Sequence, residues 1–137
     1  MRRRAAAALG APLVIALSAC APLDPLCTEI GYRNSLSVTV TDVRVADIAL
    51  CAADICAADP DAAPQGRSYW VIHNVPGLWL FDFGSDLPES AQFTLTASDG
   101  TVLDDRERAI DWTLLDEPNG AGCGWRAGPA ELAIELE

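Results

Sequence analysis

Five cysteines, one histidine and twenty carboxylates are the side chains of this 137-residue chain with chemistry to offer. The cysteines stand at 20, 27, 51, 56 and 123, and the histidine at 73. A zinc site needs ligands at close, paired spacing. No Cys-x-x-Cys pair occurs and His73 is remote, so neither a metal nor a cofactor is expected. His73 follows Trp70-Val71-Ile72 in a strand-like run and reads as structural. A catalytic histidine needs a nucleophile and an orienting carboxylate. No Gly-x-Ser-x-Gly is present, and Ser68, Ser85, Ser90 and Ser98 lie in ordinary turn or strand contexts. Acids gather at Asp59 and Asp61, at Asp82 and Asp86, at Asp104-Asp105 with Glu107, and at Asp116-Glu117. Paired carboxylates suit glycoside hydrolysis or calcium. Spacing alone fixes neither, and no Asp-x-Asp-x-Asp-Gly loop occurs. With so many acids, solvated surface is the simpler reading. Asp104-Asp105-Arg106-Glu107-Arg108 reads as a polar strand end with cross-strand ion pairs. No residue is assigned a catalytic role.

The N-terminal twenty residues carry an address. Arg2, Arg3 and Arg4 precede an apolar run from Ala5 to Ala16. A membrane-spanning helix needs about 20 apolar residues. The shorter run after a basic start fits a secretory signal peptide. It ends Leu17-Ser18-Ala19-Cys20, which is similar to the bacterial lipobox at every position. That resemblance implies a diacylglycerol thioether on Cys20 and cleavage between Ala19 and Cys20. Cysteine arithmetic agrees, because removing Cys20 leaves an even four. Ala21 follows, where an Asp tends to hold lipoproteins in the inner membrane of two-membrane bacteria. The expected location is the extracytoplasmic face of the cell membrane.

All nine basic residues are arginine, against twenty acids. Losing Arg2, Arg3 and Arg4 with the leader takes the formal charge from −11 to −14. Such a surface repels phosphate backbones, so no nucleic-acid partner is expected. It also disfavours adsorption to anionic lipid by charge. Two acyl chains hold a protein on a bilayer without electrostatic help.

Stapling elements must then position whatever the protein presents. The chain divides into a leader at 1–19, a lipidated cysteine with a short tether at 20–26, and one domain at 27–137. Pro22 and Pro25 make the tether extended, about 20 Å at 3.1 Å per residue. Beyond it period-two patterns dominate. Leu36, Val38 and Val40 alternate with Ser37, Thr39 and Thr41. A second strand runs from Val43 through Leu50 to Cys51, and a third spans Ser68 to His73. In Leu78–Phe83 the aromatic side, Trp79, Phe81 and Phe83, is the expected core side. Strands 92–98 and 101 onward flank Asp99-Gly100, which predicts a type I′ hairpin turn. Ala109–Leu115 places Ile110, Trp112 and Leu114 on one face, and Leu132, Ile134 and Leu136 mark a closing strand. Ala52–Ala63 reads as a loop, broken by Asp54, Asp59, Pro60, Asp61 and Pro64. Seven to eight short strands with Pro and Gly turns predict an all-β fold, an antiparallel β-sandwich.

Four cysteines in an exported domain form two disulfides, with three possible connectivities. Cys51 and Cys56 flank a four-residue turn and can face each other across a hairpin. Cys27 then pairs with Cys123. Trp70, Trp79 and Trp112 occupy alternating, core-like positions. Trp125 lies in the Gly-rich loop 120–129, either as an exposed contact residue or as a cap on the core beside Cys123.

Cys27-Thr28-Glu29-Ile30-Gly31, the Cys51–Cys56 hairpin and Pro118-Asn119-Gly120-Ala121-Gly122-Cys123-Gly124 together resemble a group of actinobacterial lipoproteins. The resemblance spans most of the chain, and implies a small Ig-like or transthyretin-like sandwich. It carries no activity with it. The expected role is a non-catalytic binding or structural β-domain on the cell envelope, with an envelope protein or glycan as partner. The alternatives are a carboxylate-dependent carbohydrate-active enzyme and an inhibitor presenting a rigid loop.

Overall fold

A computed structural model describes residues 26–58 and 68–137. The leader, Ala19, Cys20, most of the tether, and Asp59 and Asp61 lie outside the described residues. The described chain is all strand, turn and loop. Its strands are β1 (Ser35–Val40), β2 (Val45–Ala52), β3 (Ile55–Ala58), β4 (Tyr69–Val75), β5 (Leu78–Asp82), β6 (Ser90–Ala97), β7 (Val102–Ala109), β8 (Leu114–Asp116), β9 (Arg126–Ala127) and β10 (Ala130–Ile134).

Eight strands form one curled sheet in the order β10-β1-β5-β4-β3-β2-β6-β7, while β8 and β9 form a separate ribbon. The curl sets β10-β1-β5-β4-β3 against β2-β6-β7, and one apolar cluster fills the space between the halves. Alternation puts Leu36, Val38 and Val40 of β1 inside, with Ser35, Ser37 and Thr39 on the outer face. Ile48 and Leu50 of β2, Trp79 and Phe81 of β5, and Ala91, Phe93 and Leu95 of β6 complete the packing. Phe83 meets Tyr69 edge-on at 4.7 Å and Trp112 at 5.7 Å between ring centroids. The aromatic side of β5 is therefore the core side, as its alternation implied.

The sandwich departs from an all-antiparallel design. β10 runs parallel to β1, with Val38 opposite Leu132, and β3 runs parallel to β4, with Ala57 opposite Tyr69. The stretch read as a loop after Ala52 continues as β3 through Ala58. The stretch after Ala109 leaves the sheet instead: Ile110 is buried, Trp112 donates to the Pro88 carbonyl at 2.9 Å, and Leu114 is exposed. Trp70 points to the outer face and is 45% exposed, because Tyr69 takes the inward position. The Asp99-Gly100 turn is not type I′. Gly100 has φ +84°, whereas among the described residues Ala53 is the one non-glycine at positive φ. Gly100 N donates to Ala97 O at 2.9 Å and Ala97 N to Thr101 O at 2.8 Å. This is a three-residue loop with the glycine at the left-handed position, and a separate register shift at Leu103 separates Thr96–Val102 from Leu95–Asp104.

Strand β7 corrects the reading of the Asp104–Arg108 run. Asp104, Arg106 and Arg108 stand opposite Leu95, Phe93 and Ala91, so they share the inner face. Asp104 is only 7% exposed and binds Arg106 Nε at 2.5 Å and Arg108 Nη2. The ion pairs run along the strand rather than across it. Asp105 and Glu107 take the outer face, accepting from Gln92 and Thr94 and from Ser90 of β6.

Candidate functional site

The two ends of the sandwich differ in construction, and the direction of β1 separates them. At its start, the chain from Leu26 to Asn34 packs with the 84–86 turn and with 113–128. At its finish lie the 41–46 and 73–77 loops.

The first end is built on sulfur and amides. Cys27 and Cys123 form a disulfide with Cα atoms 5.5 Å apart, across a sequence separation of 96. The Asn119 side-chain carbonyl accepts from Ile30 N at 2.7 Å and Thr28 Oγ1 at 3.2 Å, while Asn119 O accepts from Thr28 N at 3.1 Å. Asn34 has 0% exposure. Its Nδ2 donates to Asp86 O at 3.2 Å and Trp125 O at 3.3 Å, and its Oδ1 accepts from Ala127 N at 2.8 Å. Two distant backbone segments, at Asp86 and at 125–127, thus meet on one side chain. An unpaired buried amide costs about 1–3 kcal/mol, so full satisfaction is what permits Asn34 to be there. Trp125 has its backbone held this way while its ring is 41% exposed. Asp116 takes both Nε and Nη2 of Arg126, at 2.9 and 2.7 Å, across the β8-β9 ribbon.

The second end holds a cleft of about 730 Å³. Val40, Val43, Val45, Val75 and Pro76 give it apolar walls, with Asp42, His73 and Asn74 as polar groups. Val40 N donates to Gly77 O at 2.9 Å, which clips the two loops together. A Cβ on Gly77 would stand 2.8 Å from Val40 O, and its φ is +75°, so only glycine fits this approach. Arg44 grips both oxygens of Asp42 and also donates to it from its backbone N–H. The Arg44 side chain, then its backbone, holds the Asp42 carboxyl down at about 2. His73 lies flat over Trp79 at 4.1 Å, shielding the inner ring. Among the described residues no hydroxyl or carboxylate hydrogen-bonds His73, so it has no dyad partner there.

The sequence offered no signal for this cleft beyond Val75-Pro76-Gly77, since its walls come from two loops of unremarkable composition. It did mark the second bridge. Cys51 lies directly opposite Cys56 across β2 and β3, their Cα atoms 4.0 Å apart, and the two are bonded. Both disulfides are the pairs that the hairpin spacing selects.

The chain matches no family model, no curated protein and no solved structure. Its chemistry must therefore be read from its own geometry.

Several of the clustered acids are bonded within the fold. Asp82 binds Arg33 Nη1 at 2.7 Å and accepts from Gly84 N at 2.8 Å. Asp86 accepts from Tyr69 Oη at 3.1 Å. Glu117 accepts from Gly122 N at 2.8 Å. Hydrogen bonds from Gln92 and Thr94 hold Asp105 below the usual carboxylate range. Hydrogen bonding to Thr101 does the same for Asp99. Hydrogen bonds to the charged form favour it. A glycosidase acid needs the opposite, a carboxyl raised toward neutral pH. Among the described residues no group of three or more His, Cys, Asp or Glu is placed to hold a metal ion.

Proposed function

We propose that the protein is a lipid-anchored bacterial envelope protein whose β-domain is a rigid, non-catalytic binding or structural module. The observation that carries this reading is the cysteine balance. Two disulfides use Cys27, Cys123, Cys51 and Cys56, so the Cys20 that completes the Leu17-Ser18-Ala19-Cys20 motif has no counterpart among them. A spare thiol behind an apolar leader and two small residues is what lipid transfer and leader cleavage require. Asp42, Asp82, Asp104 and Asp116 support the second half of the reading, because each is engaged by an arginine of the fold. The partner class is a protein or glycan of the same envelope.

The test is metabolic labelling with a clickable fatty acid in a bacterial host. The wild-type chain should carry the label and appear at the mass of a protein starting at Cys20. Cys20→Ala should lose the label entirely and accumulate with its leader uncut. Label on the Cys20→Ala chain would overturn the assignment.

A further inference from the structure

Several exposed apolar side chains belong to segments that meet at the bridge end. Ile30 follows the disulfide, Leu114 and Leu115 lie on β8, and Trp125 immediately precedes β9. Leu26, the first described residue, is also exposed there. The β8-β9 ribbon joins them, because Ala127 pairs with Leu114 and is bonded to Asn34, at the start of β1. Asn119 ties the Ile30 backbone to the same loop. Exposed apolar groups scattered singly need no explanation, but a group gathered at one end does.

Chain length decides what covers it. Cys20 and Cys27 are seven residues apart in sequence. At the covalent limit of 3.3–3.6 Å per residue their Cα atoms are at most about 25 Å apart. Cys27 is fixed to Cys123 at this end. The cleft end is further off by the length of β1, six residues or about 20 Å. A lipid on Cys20 therefore holds the bridge end within about 25 Å of the bilayer and makes it the nearer of the two ends.

We infer that the bridge end is a membrane-facing surface, with Trp125, Ile30, Leu114 and Leu115 entering the boundary between headgroups and acyl chains. This inference rests on the lipid anchor proposed above. Tryptophan suits that boundary, since its ring is apolar while its N–H stays hydrated. The contact is apolar rather than electrostatic. The only basic group on the ribbon, Arg126, is already paired with Asp116, and the domain as a whole is strongly acidic. The disulfide, Asn34 and Asn119 hold this end in a fixed shape, so the apolar groups are presented together at little further entropic cost.

The experiment uses the lipidated chain on phosphatidylcholine vesicles, with acyl-chain-brominated phosphatidylcholine as quencher from within and acrylamide as quencher from water. Flotation with the vesicles and the mass of the Cys20 peptide first establish the anchor. Tryptophan emission should then be quenched by the brominated lipid. Trp125→Phe should remove most of the quenchable component while flotation is unchanged. In a Trp70→Phe chain, which removes the other exposed tryptophan, acrylamide quenching should fall at least twofold on going from the leaderless, water-soluble Cys20→Ser chain to the vesicle-bound chain. A chain that floats but shows equal lipid quenching with and without Trp125 would overturn the membrane-facing surface and leave the anchor standing. A chain with no lipid on Cys20 and no flotation would overturn both. Concentration-dependent shielding of Trp125 in the Cys20→Ser chain without vesicles would identify a second copy as the occupant and overturn the membrane assignment.

Discussion

The bridge end and the cleft end of the sandwich are both made of irregular chain, yet they are held by different means. The bridge end has a disulfide, a fully buried amide and a second amide bridging two loops. The cleft end has a backbone clip at Gly77, a turn bond from Val45 N to Asp42 O and an arginine closed on Asp42 two residues away. Loops that must hold a fixed shape need their backbone groups paired, and side chains do that where no strand is available. Loops that border an open cleft can leave that work to water. The difference marks the bridge end as the rigid platform and the cleft end as the adaptable one.

The largest test of this contrast is the long bridge. Replacing Cys27 and Cys123 by serine releases a loop closed over a separation of 96, worth about 4–5 kcal/mol in the chain-entropy model. The Cys51–Cys56 bridge, over a separation of 5, is worth about 2 kcal/mol on the same scale. Denaturant midpoints should fall in that order. Amide exchange should rise at 26–34 and 113–129 well before it rises at 40–46. An inverted order would mean that the hairpin bridge sets strand register and governs stability more than loop closure does.

Asn34→Ala should come next. It strips the partners of Trp125 O, Asp86 O and Ala127 N at once, and about 2–3 kcal/mol is expected from their burial. Urea unfolding would measure it. A change below about 0.5 kcal/mol would show that water replaces the amide, and that the bridge end is less rigid than its bonding suggests. At the cleft end, Gly77→Ala meets both a positive φ and the Val40 carbonyl. A loss of about 1–2 kcal/mol is expected. Its effect on exchange should stay within the two loops and leave the bridge end untouched.

The smallest effect is a titration. Asp42 in the fold lies near 2, below its ordinary 3.8, so the pair favours the fold above that ordinary value. Its contribution fades as the pH falls through about 2. Carbon-detected NMR of the Asp42 carboxyl should place the midpoint near 2, and Arg44→Ala should return it toward 3.8. An unchanged midpoint in that variant would remove Arg44 as the cause.

Strand alternation made most of the core legible, because Leu36-Val38-Val40 and Trp79-Phe81-Phe83 can bury only one side each. The bridges were legible too, since a directly opposed hairpin pair leaves a single remaining partnership. The inward turn of Asp104, Arg106 and Arg108 was not. A run polar on both faces has no period to read, and only the register against Leu95 and Phe93 reveals its inner side. Asn34 was equally silent, because its partners lie 52 to 93 residues away. The parallel seating of β10 on β1 is likewise a property of the whole path through 110–129, not of the strand. For the cleft, no residue type is distinctive, and loop proximity alone creates it.

β7 also sets how the molecule meets its own kind. It is the last strand of the curled sheet, so one row of its amides and carbonyls has no strand alongside. Such a border is an invitation to another chain. A strand laid along β7 would have to continue the inner face past Asp104, Arg106 and Arg108, sealing from water a charged ladder whose Arg108 Nε already lacks a hydrogen-bond partner. The desolvation cost of those charges works against edge-to-edge polymerisation. The inward charges Asp104, Arg106 and Arg108 thus oppose the addition of another strand at this edge.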